Sequence, residues 1–227
     1  MLWYTGGMAL RNIVAGVIGV GVFVPALLFA QELRIAGDSP TTINKPEAYR
    51  AYYSKLEGQP HTYTIQSDEP FRLSLRILAP HVADERTDFS ATIFDKAQPN
   101  EPLIVLEGTS SEWTPFFDTA GRDDYLAGPP LRGGLAPGEY EIRVTNPDNH
   151  GAYVLVVGEG GGFSISSIFS RYSALPAIKS EFFGKPAHEA YLTPLLLRPV
   201  IGGLSLLAVL VFGAYILQKR RKRVFLE

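Results

Sequence analysis

The sequence predicts a mainly β protein, an antiparallel β-sandwich carried by one transmembrane helix near the carboxyl terminus. Three observations predict this fold class. Apolar and polar residues alternate in short segments between residues 46 and 157. No apolar stripe of helical period extends over ten residues there, which argues against parallel strands joined by helices. An uncharged run then begins at Val200 and ends at Leu217, long enough to cross most of a bilayer as a helix.

The first apolar run, at residues 13–29, follows Arg11 and is followed by Ala30 and then by polar sequence. A short cationic lead, an apolar middle and a small residue before the polar part are features of a secretory signal peptide. We expect residues 1–30 to be a signal peptide that is cleaved after Ala30. A retained amino-terminal anchor is the alternative, because the run is long enough to stay as a helix. Both alternatives place the middle of the chain outside the cell.

Residues 31–160 are expected to form the sandwich. In the clearest strand, at residues 71–77, apolar side chains alternate with Arg72, Ser74 and Arg76, so that one face is dry. Similar shorter segments are separated by turn residues. They lie at residues 49–53, 63–65, 89–93, 103–105, 140–144 and 153–157. Seven or eight strands follow from this count. The consecutive apolar residues at 103–106 and 154–157 indicate either strands that are central in their sheets, which is the preferred interpretation, or strands whose second face is covered by a partner.

The interval from residue 111 to residue 135 is the longest part without a strand pattern. A long aromatic loop of this kind either folds over the sheet or binds a partner, and both alternatives remain open. The candidate binding residues are its aromatic and acidic side chains: Trp113, Phe116, Phe117, Asp123, Asp124 and Tyr125.

Three segments carry a resemblance to a known family. They are residues 63–78, the strand and turn at 89–95, and Leu135-Ala136-Pro137-Gly138-Glu139-Tyr140 followed by Ile142 and Val144. Together they resemble bacterial pre-peptidase C-terminal domains, which are small jelly-roll-like sandwiches appended to secreted enzymes and surface proteins. The resemblance covers about half of the chain. It implies a jelly-roll-like fold and supplies no activity. The order of signal, sandwich, linker and anchor is also similar to that of membrane-anchored prokaryotic proteins.

Residues 161–198 are expected to link the sandwich to the anchor. Four glycines and Glu159 occupy residues 158–162, a composition typical of a flexible joint. Apolar residues at 163–183 then fall partly at helical spacing, with Pro176 interrupting them. This amphipathic segment has two alternatives: it lies along the lipid headgroups, or it packs on the sandwich as a terminal helix.

The anchor is predicted at residues 199–218, and the tail at residues 219–227. The tail opens with five cations: Lys219, Arg220, Arg221, Lys222 and Arg223. Cations of this kind stay on the cytoplasmic side of a membrane. We therefore expect a cytoplasmic carboxyl terminus and an extracytoplasmic sandwich in a single-pass protein, or a two-pass protein if the first apolar run is retained.

Composition excludes several classes of function. Residues 31–194 contain 22 acidic and 14 basic side chains, a net charge of −8, whereas a nucleic-acid partner needs a basic face. The chain has no cysteine, and therefore neither a disulfide nor a thiol nucleophile. His188 and Glu189 begin a zinc-peptidase pattern, but Leu192 stands where its second histidine belongs. We find no other catalytic motif, and we expect no enzymatic activity and no cofactor.

Carboxylates on turns raise the question of a calcium site. Asp118, Asp123 and Asp124 lie in the long interval, and Asp148 with Asn149 lies in a short one. Calcium prefers oxygen ligands of this kind, but the regular spacing of a calcium loop is missing. Solvated turn residues are the better interpretation, and we predict no metal site.

The functional interpretation is a membrane protein whose outer β-sandwich acts as a binding or accessory module. Its partners are expected to be the lipid bilayer and either another membrane or surface protein or a glycan, with no nucleic acid. The alternative is a structural subunit of a membrane complex, which contacts its partners through residues 161–198 and the anchor.

Overall fold

The computed structural model describes residues 32–36, 39–82, 86–159 and 165–224. The predicted signal peptide or anchor at residues 1–30 lies outside the described residues, as does the end of the predicted tail at residues 225–227. The described part of the chain contains twelve strands. They are β1 (Glu32–Ile35), β2 (Thr41–Ile43), β3 (Arg50–Glu57), β4 (His61–Ser67), β5 (Phe71–Pro80), β6 (Ser90–Asp95), β7 (Pro102–Leu106), β8 (Thr114–Asp118), β9 (Asp123–Ala127), β10 (Leu131–Leu135), β11 (Gly138–Thr145) and β12 (His150–Val157).

The strands form two mixed sheets in a sandwich-like arrangement. The first sheet has the order β1-β3-β12-β5-β9-β8, and β10 also pairs with β5. The second sheet has the order β2-β4-β11-β6-β7. The mainly β fold class and the sandwich are therefore confirmed, with more strands than the seven or eight that the sequence pattern predicted.

The prediction of purely antiparallel pairing is wrong at one edge of each sheet. Strand β1 pairs in parallel with β3, and β2 pairs in parallel with β4. The chain alternates between the sheets at this point, because β1 and β3 belong to the first sheet and β2 and β4 to the second. Each parallel pair is thus joined through a strand of the opposite sheet, and no helical crossover is needed.

The main core lies between the two sheets. Strand β5 contributes Phe71, Leu73, Leu75 and Ile77 to it, all buried, so the predicted dry face of this strand is confirmed. The second sheet contributes alternate residues of its own strands, such as Ile142 of β11. Burial of each large apolar side chain contributes about 1.5–3 kcal/mol to the stability of the fold. Because the chain has no cysteine, no disulfide adds to this stabilisation.

The two consecutive apolar runs have different positions. Strand β12 lies between β3 and β5, and both Val154 and Leu155 are fully buried although they point to opposite faces. It is the central strand that the pattern predicted. Strand β7 is instead the edge of the second sheet, and its Leu103 and Val105 are half exposed. The prediction of a central strand is wrong there, because one apolar face of β7 has no covering layer among the described residues.

In the described part of the chain three helical elements follow the sandwich: α1 (Ile165–Phe183), a 3₁₀ helix (Ala187–Leu192) and α2 (Pro194–Val224). Helix α1 packs on the outer face of the first sheet, the face that points away from the second sheet. Its Ile178 and Phe182 are buried there against Tyr53 and Val154. Of the two alternatives for the amphipathic segment, the structure has the terminal helix packed on the sandwich, with Pro176 inside α1.

Helix α2 begins in contact with the sandwich and then leaves it. Leu195 and Leu196 are buried in the same outer cluster, whereas most later apolar side chains are exposed. By length and composition, Pro194–Ile216 could cross a membrane. The predicted apolar carboxyl-terminal helix is therefore present, and it starts at Pro194 rather than at residue 199.

The predicted flexible joint is wrong at its first two residues. The Gly158 N–H donates to Ser74 O at 2.9 Å, and the Glu159 N–H donates to Glu47 O at 3.2 Å. Gly158 has φ +76°, and a Cβ there would lie 2.4 Å from Ala48 O. Glycine is required for this close approach rather than for mobility. The remaining glycines of the predicted joint lie outside the described residues.

Candidate functional site

The interval at residues 111–135 is not an irregular loop, and that prediction is wrong. It forms β8, β9 and β10, each of five residues. Strands β8 and β9 make a hairpin at the edge of the first sheet, and β10 pairs with β5. Pro115 and the pair Gly133 and Gly134 lie inside these strands, and such residues hide a strand pattern because both are unfavourable within strands.

The β8–β9 turn is organised by Asp118. Its carboxylate accepts the backbone N–H groups of Ala120 at 3.0 Å and Gly121 at 2.9 Å, and its carbonyl accepts the N–H of Arg122 at 2.7 Å. Aspartate commonly stabilises turns in this way. Among the described residues no three acidic or histidine side chains converge as metal ligands.

Two of the predicted binding residues are buried beneath α1. Asp123 is 1% exposed, and its Oδ1 accepts hydrogen bonds from Lys179 Nζ at 2.6 Å and Lys185 Nζ at 2.9 Å. The hydroxyl of Tyr125 lies 2.8 Å from that of Tyr53, and burial raises the pKa of Tyr125 well above its usual value. Both side chains hold α1 on the sheet and are not on the surface that a partner meets in this structure.

The other four candidates lie on different surfaces. Trp113 is half-buried against the main core and donates from Nε1 to Gly108 O at 2.9 Å, so it covers the core. Phe116 and Phe117 are 44% and 51% exposed and alternate along β8. Asp124 is exposed opposite Phe117 in the hairpin. The structure thus brings Phe116 together with Tyr125, 6.2 Å between ring centroids, and places Phe117 opposite Asp124 in the same hairpin.

A groove of about 330 Å³ lies on the outer face of the first sheet beside Phe116. Strand β5 supplies Ser74, Arg76 and Leu78, which the strand pattern already placed on one outward face together with Arg72. The remaining lining residues come from other strands and loops: Tyr49, Phe116, Pro130, Arg132, Val156, Gly158 and Glu159. Only Phe116 was among the predicted binding residues, because the others are brought together by sheet pairing.

The polar side chains of this groove differ in whether they have hydrogen-bond partners. Arg132 Nε donates to Glu159 Oε1 at 2.6 Å, and Ser74 Oγ donates to the same oxygen at 3.0 Å. The hydrogen bond from Arg132 and then that from Ser74 lower the pKa of the Glu159 carboxyl. Burial raises the pKa of Tyr49 to about 12, so its phenol is neutral. Arg76 is half-buried and has neither a hydrogen bond nor an ion pair within the described part of the chain.

A second cavity of about 420 Å³ lies between β3, β4 and the end of α1. His61 lines it, with Nδ1 2.6 Å from Ser54 Oγ and its ring stacked on Tyr63 at 4.7 Å between centroids. Burial lowers the pKa of His61. The other ring nitrogen, Nε2, lies 3.4 Å from Thr41 Oγ1.

Comparison with known proteins gives matches among solved structures. No family model matches the chain, and no curated protein matches it. Among solved structures it is similar to the pre-peptidase C-terminal domain of collagenase from Bacillus anthracis, with 11% identity, 56% of this chain and 94% of that one covered, and a TM-score of 0.34. That domain belongs to the family which the sequence motifs resemble.

Two further solved structures have a similar extent of match. One is the CBM35 of Abf62 from Cellvibrio japonicus, with 13% identity, 48% of this chain and 72% of that one covered, and a TM-score of 0.25. The other is CorA, a surface-associated copper-binding protein of Methylomicrobium album BG8, with 10% identity, 56% and 100% covered, and a TM-score of 0.27. Similarity at this level supports no inference about function, and the two-sheet architecture rests on the strand pairing of this chain.

Proposed function

We propose that this chain is a single-pass membrane protein that holds its β-sandwich on the outer side of the membrane, as a non-catalytic binding module. The observation that carries the proposal is the direct junction between the sandwich and an exposed apolar helix. The Leu195 N–H donates to Ala120 O at 3.1 Å, and Leu196 is buried against the sandwich. Beyond them α2 exposes large apolar side chains, such as Leu210 at 61%, which is unfavourable in water and favourable in a bilayer.

The orientation follows from charge. Five cations begin at Lys219, directly after the apolar part of α2, and would remain in the cytoplasm. The sandwich precedes α2 and would lie outside. The apolar run at residues 13–29 supports the same orientation, because a secretory signal exports the sequence that follows it.

The recognition surface of the proposed module is the β8 edge. Strand β8 has β9 as its one partner among the described strands, so its other edge is open. Phe116 and Phe117 project from this edge strand to opposite faces, and Asp124 adds a charge beside Phe117. Open edges and exposed aromatic side chains are the features that partner proteins use for strand addition and anchoring. The proposed partner is another membrane or surface protein, with a glycan as the alternative.

A second candidate function is that of a structural subunit in a membrane complex. The observation that favours it is the exposure of Tyr191 and Leu192 in the 3₁₀ helix that leads into α2. These side chains lie where the chain leaves the sandwich, and they would contact other subunits together with the apolar surface of α2.

Site-specific photo-cross-linking in intact cells of the native host separates these functions. A benzophenone side chain is introduced at Phe117, at Leu192, or at Gln98, an exposed turn residue that serves as the matched control. The binding module predicts a discrete adduct from position 117 and none from position 98. Adducts from position 192 alone, with a large stoichiometric assembly after mild detergent extraction, would favour the structural subunit. Equal adducts from positions 117 and 98 would contradict the binding module, and equal adducts from positions 192 and 98 would contradict the structural subunit.

A further inference from the structure

The groove on the outer face of the first sheet contains a cation that has no counter-ion among the described residues. Arg76 projects from the middle of β5, with Val156 as its partner position on β12. It is half-buried, and the described residues offer it no hydrogen bond or ion pair. Partial burial of a guanidinium removes some of its hydration, and an arriving anion would replace the lost interactions. Arg76 is therefore the group in this groove that a ligand can neutralise.

The charges of the groove specify a monoanion. Arg132 and Arg76 are its two cations, but Arg132 is held by Glu159 at 2.6 Å. The same Glu159 oxygen also accepts a hydrogen bond from Ser74, and Glu159 makes no ion pair with Arg76 among the described residues. Among the residues that line the groove one positive charge remains without an ion pair, and the Asp118 carboxylate, which also acts on Tyr49, is bound to the backbone of its own turn. A guanidinium presents a planar fork of donors that matches the two oxygens of a carboxylate. A phosphate dianion would find only one available cation.

The apolar lining of the groove indicates the kind of body to which the ligand's carboxylate is attached. Tyr49 and Phe116 line the groove with aromatic rings, and the sheet supplies Leu78 and Val156. The Tyr49 phenol stays neutral, since burial raises its pKa to about 12, so it can donate a hydrogen bond without repelling an anion. A volume of about 330 Å³ is at the small end of ligand sites and accepts one ring rather than a chain.

We propose that this groove binds a carboxylate carried on a single ring-sized body, with Arg76 bound to the carboxylate and Tyr49 and Phe116 against the ring. The inference rests on the proposed binding function and names the ligand chemistry of its outer face. It adds a pocket for a free small molecule next to the β8 edge.

The test is binding of benzoate to the full-length protein in detergent micelles or nanodiscs, measured by calorimetry or by ligand-observed NMR. Benzamide has nearly the same shape without the charge, and phenyl phosphate carries a second charge. We expect benzoate to bind at least tenfold more tightly than either. Arg76→Gln should weaken benzoate binding at least tenfold, and Arg76→Lys should weaken it less because the charge remains. Phe116→Ala tests the ring contact independently and should weaken binding of benzoate severalfold.

The matched control is Arg72→Gln, because Arg72 is exposed on the same face of β5 and does not line the groove. It should leave benzoate binding unchanged. Equal loss in the Arg72 and Arg76 variants, equal binding of benzamide, or no binding of benzoate would each overturn the inference. If the groove inference fails but position 117 still gives its cross-linked adduct, the proposed function stands. If benzoate binds as expected but position 117 gives no adduct, only the proposed function is overturned.

Discussion

His61 is an ionisable side chain inside the sandwich. The residue is 6% exposed, its ring stacks on that of Tyr63, and its Nδ1 lies 2.6 Å from Ser54 Oγ. The Tyr63 hydroxyl lies 2.9 Å from that of Tyr153, so the histidine belongs to a buried polar group that includes both phenols. Burial lowers the pKa of His61 below its ordinary value of 6.5, because the charged ring would lose its hydration.

This pKa shift predicts loss of stability in mild acid. The unfolded chain takes up a proton on His61 below about pH 6.5, while the folded protein resists it, so the unfolded state binds more protons as the pH falls. The free energy of unfolding should therefore decrease between about pH 7 and pH 5. In His61→Gln this decrease should be smaller. Urea unfolding of the full-length protein at several pH values measures the slope.

His188→Gln is the control for this experiment, since His188 is exposed in the 3₁₀ helix. Its slope should match that of the unchanged protein. Asp148 and Glu159 have lowered carboxyl pKa values, held by Arg86 and Arg132 respectively, so their contribution is lost only in stronger acid. An unchanged slope in His61→Gln between pH 7 and pH 5 would contradict the assignment.

At the scale of elements, one buried ion pair joins α1 to the β8–β9 hairpin. Lys179 Nζ donates to Asp123 Oδ1 and to Gly121 O, both at 2.6 Å, and both charged side chains are almost fully buried. Lys179→Met should destabilise the protein by about 3 kcal/mol, because Asp123 loses one of its two partners. Thermal unfolding measures the total loss, and hydrogen exchange should report faster opening of α1.

Lys185→Met is the matched control, because Lys185 donates to the same Asp123 oxygen but is one-third exposed. We expect a loss of about 1 kcal/mol or less from it, as solvent screens this pair. Combining Lys179→Met with Asp123→Leu should recover part of the stability, since both buried charges are then removed. Equal losses from the two lysine substitutions would show that burial does not set the strength of this contact.

Sequence patterns predicted the strands in which apolar residues alternate regularly or follow one another without interruption. Strands β5, β11 and β12 carry regular or continuous apolar positions, and they were located from the sequence. Strands β8 to β10 were missed because each has only five residues, β8 contains Pro115, β9 begins with two aspartates, and β10 contains paired glycines. Parallel pairing of β1 with β3 could not be predicted, since it depends on the passage of the chain through the second sheet and not on local pattern.

The candidate site was predicted in part for the same reason. Exposure of Phe116 and Phe117 is a local property of an edge strand. Burial of Asp123 and Tyr125 depends on Lys179 and Tyr53, which are 56 and 72 residues distant in the sequence. The groove around Arg76 likewise draws its lining from five separate parts of the chain, which no spacing rule connects.

At the scale of the whole molecule, the proposed orientation in the membrane can be tested by cysteine labelling. The chain contains no cysteine, so a single introduced cysteine gives a specific labelling site. Thr109→Cys lies on an exposed turn of the sandwich, and Glu227→Cys lies at the end of the basic tail. A membrane-impermeant maleimide should label Thr109→Cys in spheroplasts and should label Glu227→Cys only after permeabilisation, since the cations beginning at Lys219 resist translocation.

Exchange of the tail cations tests the cause of this sidedness. Replacing all five residues at 219–223 by glutamine removes the charge that retains the tail but keeps the apolar length of α2. The labelled fraction of Glu227→Cys in spheroplasts should then rise, provided that the first apolar run does not determine the orientation alone. Labelling of Glu227→Cys but not of Thr109→Cys in the chain with its cations intact would place the sandwich inside the cell. The outer binding module would then be excluded, because neither the β8 edge nor the Arg76 groove could meet a partner outside the membrane.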